Sequence, residues 1–169
     1  MGKDSLVRND DISSTLEQYS DMVYKLAFSR AKNATDAEDI YQEVFLRYIT
    51  SKVEFESEEH KKAWLLRVTI NCGNKLFTSA WARHRAELDD ATVAAAPAPE
   101  SSDESGLLAA MKKLPEDYRT VIHLFYYEDL SIKQICGILG KKEGTVKSQL
   151  NRARALLKKE LKGEEERVW

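Results

Sequence analysis

A segment poor in large apolar side chains divides this chain into two parts. From Leu88 to Gly106 the sequence consists mainly of alanine, proline, serine and acidic residues, with ATVAAAPAPESSDES in its middle. Such a composition cannot bury enough apolar surface to offset the entropy lost on folding. We therefore expect a flexible linker over 88–106, between a front domain at 1–87 and a back domain at 107–169. Residues 1–11, which are mostly polar, are also expected to be disordered.

Both parts show the three- and four-residue apolar spacing of amphipathic helices, without the alternation that is typical of strands. In the front part this spacing predicts a first helix whose apolar stripe is formed by Leu16, Tyr19, Val23 and Leu26. Arg30 supplies the positive charge that favours a helix C-terminus. The predicted fold class is all-α, with two small helical domains joined by a flexible linker.

Two further helices are predicted in the front part. The second opens at Thr35, whose hydroxyl can cap the helix while Glu38 reaches back in a capping box. Its buried stripe is formed by Ala37, Ile40, Tyr41, Val44 and Tyr48, and its opposite face shows Asp39, Gln42 and Glu43. The third helix starts near Glu58 and directs inward Trp64, Leu65, Val68, Cys72 and Leu76.

The formal net charge of −2 hides a strong separation of charge along the chain. Residues 36–60 have a balance of −6, whereas residues 61–85, which include Lys61 and Lys62, have +6. Residues 131–162 have a balance of +7. The two basic stretches are candidates for contact with nucleic acid.

The back part contains the pattern of a helix-turn-helix. Ser131 and Gln134 form a predicted capping box at the start of a short helix, and Gly140 supplies the turn after it. Val146 and Leu150 then mark the inner face of a second helix. In a helix-turn-helix, the second helix enters the major groove with its N-terminal residues at the base edges.

The outer face of that second helix carries side chains suited to DNA. Arginine pairs with guanine, asparagine and glutamine pair with adenine, and serine pairs with either. The candidate base-reading residues are Lys147, Ser148, Asn151 and Arg152, beside Gln149. The candidate phosphate contacts are Lys141, Lys142 and Lys158.

Other classes of function are not indicated. Cys72 and Cys136 lack a CxxC spacing or a nearby histidine, so we expect buried thiols and no metal site. No catalytic triad, metal cluster or phosphate loop is found, so neither an enzyme nor a cofactor is expected. No apolar run reaches the roughly 18 residues of a membrane span, and MGKDSLVRNDD contains no export signal. We therefore expect a cytoplasmic protein.

From about Leu16 to Leu161, the sequence resembles the sigma-70 family of RNA polymerase sigma factors, and specifically its extracytoplasmic-function group. DAEDIYQEVFLRYI at 36–49 resembles the region 2.2 helix, and AWLLRVTINCGNKL at 63–76 resembles region 2.3. LPEDYRTVIHLFYYEDLSIKQICGILGKKEGTVKSQLNRARALLKKEL at 114–161 is similar to region 4. The larger members of the family carry further regions that do not fit into 88–106.

The resemblance implies a function in promoter recognition and transcription initiation. It implies core RNA polymerase as a partner, through its beta-prime clamp and beta flap, with clamp contacts at Asp39, Gln42 and Glu43. It also implies that Phe55 and Asn71 form a pocket for a flipped base of the minus-ten element, with Lys75 beside them. The implied readers of the minus-thirty-five duplex are Lys147, Ser148, Asn151 and Arg152. Whether an anti-sigma factor also binds is left open.

The sequence departs from the family pattern at two positions, and two alternatives remain. Cys136 stands where alanine is usual, and Gln149 stands where arginine is common. One alternative is a helix-turn-helix activator, which would bind duplex DNA tightly on its own. The other is a sigma mimic, which would titrate an anti-sigma factor without starting transcription.

Overall fold

A computed structural model of the chain describes residues 2–31, 33–78 and 106–167. Its α-helices are α1 (Gly2–Ala31), α2 (Ala34–Thr50), α3 (Glu58–Thr78), α4 (Gly106–Lys112), α5 (Glu116–Ile122), α6 (Ile132–Leu139) and α7 (Glu143–Arg167). A π-helical turn at His123–Tyr127 continues α5. Every regular element in the described ranges is helical, so the all-α fold class is confirmed. The predicted linker at 88–106 lies outside the described residues, except for Gly106.

The front half is a three-helix unit in which α1, α2 and α3 share one apolar core. Val23 of α1, Val44 of α2 and Leu65 of α3 are fully buried there, as their spacing predicts. An aromatic group closes one end of the core, where the ring of Tyr48 lies against Phe55 and Trp64.

The first helix begins earlier than its apolar stripe indicates. It begins at Gly2, within the segment 1–11 for which the sequence predicts disorder, and that disorder stays a prediction. The carboxylate of Asp11 accepts hydrogen bonds from the Tyr48 hydroxyl at 2.6 Å and from Lys61 Nζ at 3.1 Å. These contacts hold Asp11 of α1 against α2 and α3, which no apolar pattern would reveal.

The second helix begins at Ala34, and its cap is Asn33 rather than Thr35. Asn33 Oδ1 accepts from the backbone N–H of Asp36 at 2.9 Å, and Asn33 Nδ2 donates to the Asp36 carboxylate at 2.6 Å. The predicted capping box of Thr35 with Glu38 is therefore wrong. Asparagine caps helices at least as well as threonine, so the earlier residue takes the position.

The back half packs on the front half through a second core. Leu66 and Ile70 of α3 join Leu124, Ile135 and further apolar residues of α4 to α7 in one buried cluster. Polar contacts surround this cluster. Lys62 of α3 lies 3.6 Å from the Glu128 carboxylate, for example. The two halves of the described chain are thus in direct contact, which the sequence did not predict.

None of the helices in the described ranges combines the length and the apolar character that crossing a bilayer requires.

Candidate nucleic-acid interface

The turn between α6 and α7 has the geometry of a helix-turn-helix. Ser131 Oγ accepts from the backbone N–H of Gln134 at 3.1 Å, and Gln134 Oε1 accepts from the backbone N–H of Ser131 at 2.9 Å. This confirms the predicted capping box. Gly140 ends α6 with a φ of 66°, in the left-handed region that favours glycine. Val146 and Leu150 are buried against the core, so the opposite face of α7 is directed outward.

All four predicted base-reading residues lie on this outward face. Lys147, Ser148, Asn151 and Arg152 are exposed, at positions within two turns of one another. Lys147 Nζ lies 3.0 Å from the Glu143 carboxylate, one turn earlier in α7. A surface ion pair of this kind is weak and does not prevent Lys147 from contacting DNA.

The three predicted phosphate contacts differ in their surroundings. Lys142 and Lys158 are exposed. Lys141 is half-buried, with its Nζ 3.8 Å from the Asp117 carboxylate and 3.5 Å from Gln149 Oε1. Gln149 is therefore turned partly toward the protein and is less exposed than its neighbours Ser148 and Asn151.

The basic stretch of α3 makes more contacts within the protein than its sequence suggests. Lys61 is only 8% exposed and contacts both Asp11 and Glu58. Burial opposes the charge, but the hydrogen bond that Lys61 donates to Asp11 and the negative charge of Asp11 raise the pKa of Lys61 above its usual value. Arg67 donates to the carbonyl of Gly137 at 3.3 Å.

Phe55, one of the predicted minus-ten residues, belongs to an aromatic cluster. Its ring stacks on Tyr48 with centroids 6.1 Å apart, and meets Trp64 and His60 edge to face at 5.6 Å and 5.4 Å. A cavity of about 350 Å³ lies beside it. The residues that line this cavity are Asp11, Ile12, Tyr48, Ser51, Lys52, Val53 and Phe55.

Asn71 and Lys75, the other predicted minus-ten residues, are exposed on α3. Asn71 lines a different cavity of about 110 Å³, together with Thr120 and Lys141 of the back half. The two cavities share no residue. The base pocket that the resemblance implies from Phe55 and Asn71 together therefore stays a prediction.

The predicted polymerase contacts lie on the outer face of α2. Asp39 and Gln42 are exposed, and the half-buried Glu43 accepts a hydrogen bond from Arg47 Nε at 3.0 Å. The same face carries two exposed apolar side chains that the sequence reasoning missed, Leu46 and Ile49, at 56% and 40% exposure. Leu46 and Ile49 follow Glu43 at intervals of three residues, and this spacing indicates that they lie on the same helical face. We call the face formed by Asp39, Gln42, Glu43, Leu46 and Ile49 the α2 face.

The buried side chains of Cys72 and Tyr19 have shifted pKa values. Burial raises the pKa of the Cys72 thiol, and Cys136 is partly buried; both are free. Burial and a 2.8 Å hydrogen bond to Glu58 raise the pKa of Tyr19 to about 12. Among the described residues, no three histidine, cysteine or acidic side chains are grouped as a metal site would require.

Comparison with known proteins identifies the class to which this fold and surface belong. The family model of Sigma-70 region 2 matches residues 15–86, and that of Sigma-70, region 4 matches residues 105–157. The chain belongs to the sigma-70 family of RNA polymerase sigma factors, in its ECF group, and its function is promoter recognition in transcription initiation.

Curated relatives and solved structures support this assignment. The chain is 30% identical to the ECF RNA polymerase sigma factor SigW of Bacillus subtilis, over 90% of each chain. It is 31% identical to the RNA polymerase sigma factor SigV of the same organism, over 84% of this chain and 86% of that one. The sigma factor RpoE of Bartonella quintana, solved with the anti-sigma factor NepR, is similar with a TM-score of 0.67 and 27% identity. That similarity covers 90% of this chain and 97% of RpoE.

Proposed function

We propose that this sigma factor binds core RNA polymerase through the α2 face and reads the minus-thirty-five duplex with the outward face of α7. The observation that carries the proposal is the division of α7 into two sides. Val146, Leu150 and Ala153 are fully packed inside, and the base-reading candidates project outward. A helix with these two sides after a tight glycine turn has the form that enters a major groove.

The composition of the α2 face favours a protein partner. Asp39 and Glu43 would be repelled by DNA phosphates, whereas a basic protein surface would attract them. Leu46 and Ile49 add the apolar area that is found at the centre of protein interfaces. The family likeness gives this partner as the beta-prime clamp of the polymerase, with the beta flap as a second contact for the back half.

The minus-ten element is proposed to bind at the aromatic cluster and along α3. Phe55 and Trp64 are both half-buried, so part of each ring is open to an unpaired base. Asn71 and Lys75 are exposed further along α3, where they can donate to bases or phosphates of the same strand. Stacking of this kind stabilises melted DNA without covalent chemistry, so the proposed activity is binding and positioning rather than catalysis.

Two further aspects of the proposal rest on likeness. RpoE of Bartonella quintana is solved with the anti-sigma factor NepR, and CnrH with the cytosolic domain of CnrY. We include an anti-sigma factor among the partners of this chain on that basis. Its site of action is proposed to be the cytoplasm, where RNA polymerase works.

Run-off transcription from a library of randomised promoters tests the proposal directly. Core polymerase alone should give no selected product, whereas addition of this protein should enrich promoters with two sequence blocks. Binding to core without transcription would favour a sigma mimic. Tight duplex binding by the free protein without core binding would favour a plain helix-turn-helix activator.

Two variants separate the polymerase contact from the DNA contact. Glu43→Lys reverses a charge on the α2 face and should abolish co-purification with core polymerase. Glu17→Lys is the matched control, because Glu17 is an exposed acid on α1, outside the α2 face. Arg152→Ala should cost about 1–3 kcal/mol and relax base choice at one upstream position. Equal weakening on every sequence would make Arg152 a phosphate contact instead.

A further inference from the structure

Arg154 of α7 is held by two aromatic rings of the π-helical turn. Its Nε donates to the Tyr126 hydroxyl at 2.6 Å. The guanidinium carbon lies 5.2 Å from the centre of the Phe125 ring and 5.5 Å from that of Tyr126. One hydrogen bond and two cation–π contacts thus fix a long side chain that would otherwise be free to rotate.

The π-helical turn explains why two successive rings reach the same guanidinium. In an α-helix, successive side chains point about 100° apart. The wider π turn at His123–Tyr127 brings Phe125 and Tyr126 closer in direction, and their rings meet edge to face with centroids 4.9 Å apart. Tyr126 stays 53% exposed, so its ring contributes to this surface contact more than to the core.

The same guanidinium reaches one of the base-reading residues. Arg154 Nη1 donates to Asn151 Oδ1 at 3.4 Å, three residues earlier on α7. A guanidinium has only donors, so the amide oxygen of Asn151, and not its nitrogen, has to face Arg154. The two N–H donors of Asn151 Nδ2 then diverge from Arg154.

We propose that Arg154 is a positioning residue that sets the base preference of Asn151, an inference that rests on the proposed role of α7 in reading the upstream element. An unrestrained asparagine pairs with adenine by donating to N7 and accepting from N6. Oδ1 has a second lone pair, which still accepts from N6 of adenine while Nδ2 donates to N7. Arg154 therefore holds the Asn151 amide in the orientation that matches adenine, at the expense of other bases.

The test is a selection of randomised upstream elements by the holoenzyme, with four variants compared with the wild type. Asn151→Ala identifies the base position that Asn151 reads. Arg154→Ala and Tyr126→Phe should both reduce the preference for adenine at that position alone, by about fivefold or more for Arg154→Ala, the lower end of discrimination by one bidentate pair. Tyr127→Phe is the matched control, because Tyr127 is equally exposed, at 54%, but stacks on His123.

The outcomes separate this inference from the proposed function. If the wild type selects an upstream block but Arg154→Ala and Tyr126→Phe select the same bases, the inference is wrong. It is also overturned if Arg154→Ala weakens all sequences equally, since Arg154 would then be a phosphate contact. If the wild type selects no upstream block, the proposed function fails and this inference fails with it. Tyr126→Phe keeps the ring, so it decides the matter should Arg154→Ala fold poorly.

Discussion

Arg30 in α1 and Thr120 in α5 are joined by a buried hydrogen bond between the two halves of the chain. Arg30 Nη1 donates to Thr120 Oγ1 at 2.7 Å, and Arg30 is only 4% exposed. The guanidinium also donates to Asn74 Oδ1 and lies 3.1 Å from the Glu116 carboxylate. Burial lowers the pKa of Arg30, and Glu116 opposes this shift. A charge buried to this extent depends on each of its partners.

Thr120→Val should therefore destabilise the protein. The substitution keeps the side-chain shape but leaves an Arg30 donor without its acceptor, at a cost of about 1–3 kcal/mol. Urea unfolding followed by circular dichroism measures the loss in the free energy of unfolding. Thr35→Val is the control, because Thr35 is exposed. An equal loss in the two variants would show that the contact with Arg30 contributes nothing.

The contacts of Asp11 predict a pH-dependent contribution to stability. The hydrogen bond from Tyr48, followed by that from Lys61, lowers the pKa of Asp11 below its usual 3.8. A carboxyl group whose pKa is lowered on folding stabilises the protein fully above its unfolded pKa, and this stabilisation is lost as the pH falls through the folded value. The contribution therefore declines as the pH falls below about 3.8 and is lost once the pH passes the lower, folded pKa.

Asp11→Asn should reduce the free energy of unfolding at pH 7, and the difference from the wild type should shrink at pH 3 and below. The side chain of Asp11 is 52% exposed, so the loss should stay within about 1 kcal/mol, as for other exposed ion pairs. Asp21→Asn provides the comparison, because Asp21 pairs with Lys25 on the surface at 78% exposure. A difference that is constant with pH would contradict the role of the Asp11 charge.

The helix-turn-helix was predictable because its determinants are close together in the sequence. Ser131 and Gln134 are three residues apart, and the left-handed turn at Gly140 needs only the glycine itself. The exposed and buried faces of α7 follow from helical spacing alone. For these reasons the structure confirms both the capping box and the exposure of the four predicted base-reading residues.

The roles of Arg30 and Lys61 could not be predicted from local spacing. The position of Arg30 in the sequence predicts a helix-terminal charge, but its hydroxyl partner Thr120 is 90 residues away. The segment charge places Lys61 among the DNA-facing residues, although its partner Asp11 lies 50 residues earlier. Charge counting gives the balance of a segment, whereas the partner of each charge depends on how the helices pack.

Substitutions of Asn33 and Thr35 test which of the two residues caps the N-terminus of α2. Asn33→Ala removes the side chain that accepts from the backbone N–H of Asp36, and should cost about 1 kcal/mol of stability. Thr35→Ala should change stability little, because Thr35 lies inside the first turn and is exposed. Urea unfolding of the two variants decides between them. A larger loss for Thr35→Ala would restore the capping box that the sequence indicated.

Gly137 in α6 and Gly140 at its C-cap should respond to alanine in opposite directions. Gly140 has a φ of 66°, so Gly140→Ala forces a Cβ into the left-handed region at a cost of roughly 1–2 kcal/mol. Gly137 lies inside α6 with no atom within 4 Å of an added Cβ. Gly137→Ala should therefore raise stability by roughly 0.5–1 kcal/mol, through the higher helix propensity of alanine.

Both glycine variants are measured by thermal and urea unfolding, with DNA binding by the holoenzyme as a second readout. Gly140→Ala should weaken minus-thirty-five recognition as well as stability, because the turn sets the direction in which α7 leaves α6. Gly137→Ala should leave recognition unchanged, since Gly137 lies outside the face of α7 that carries the predicted base-reading residues. An equal loss in the free energy of unfolding in both variants would show that the left-handed conformation of Gly140 carries no special cost for alanine.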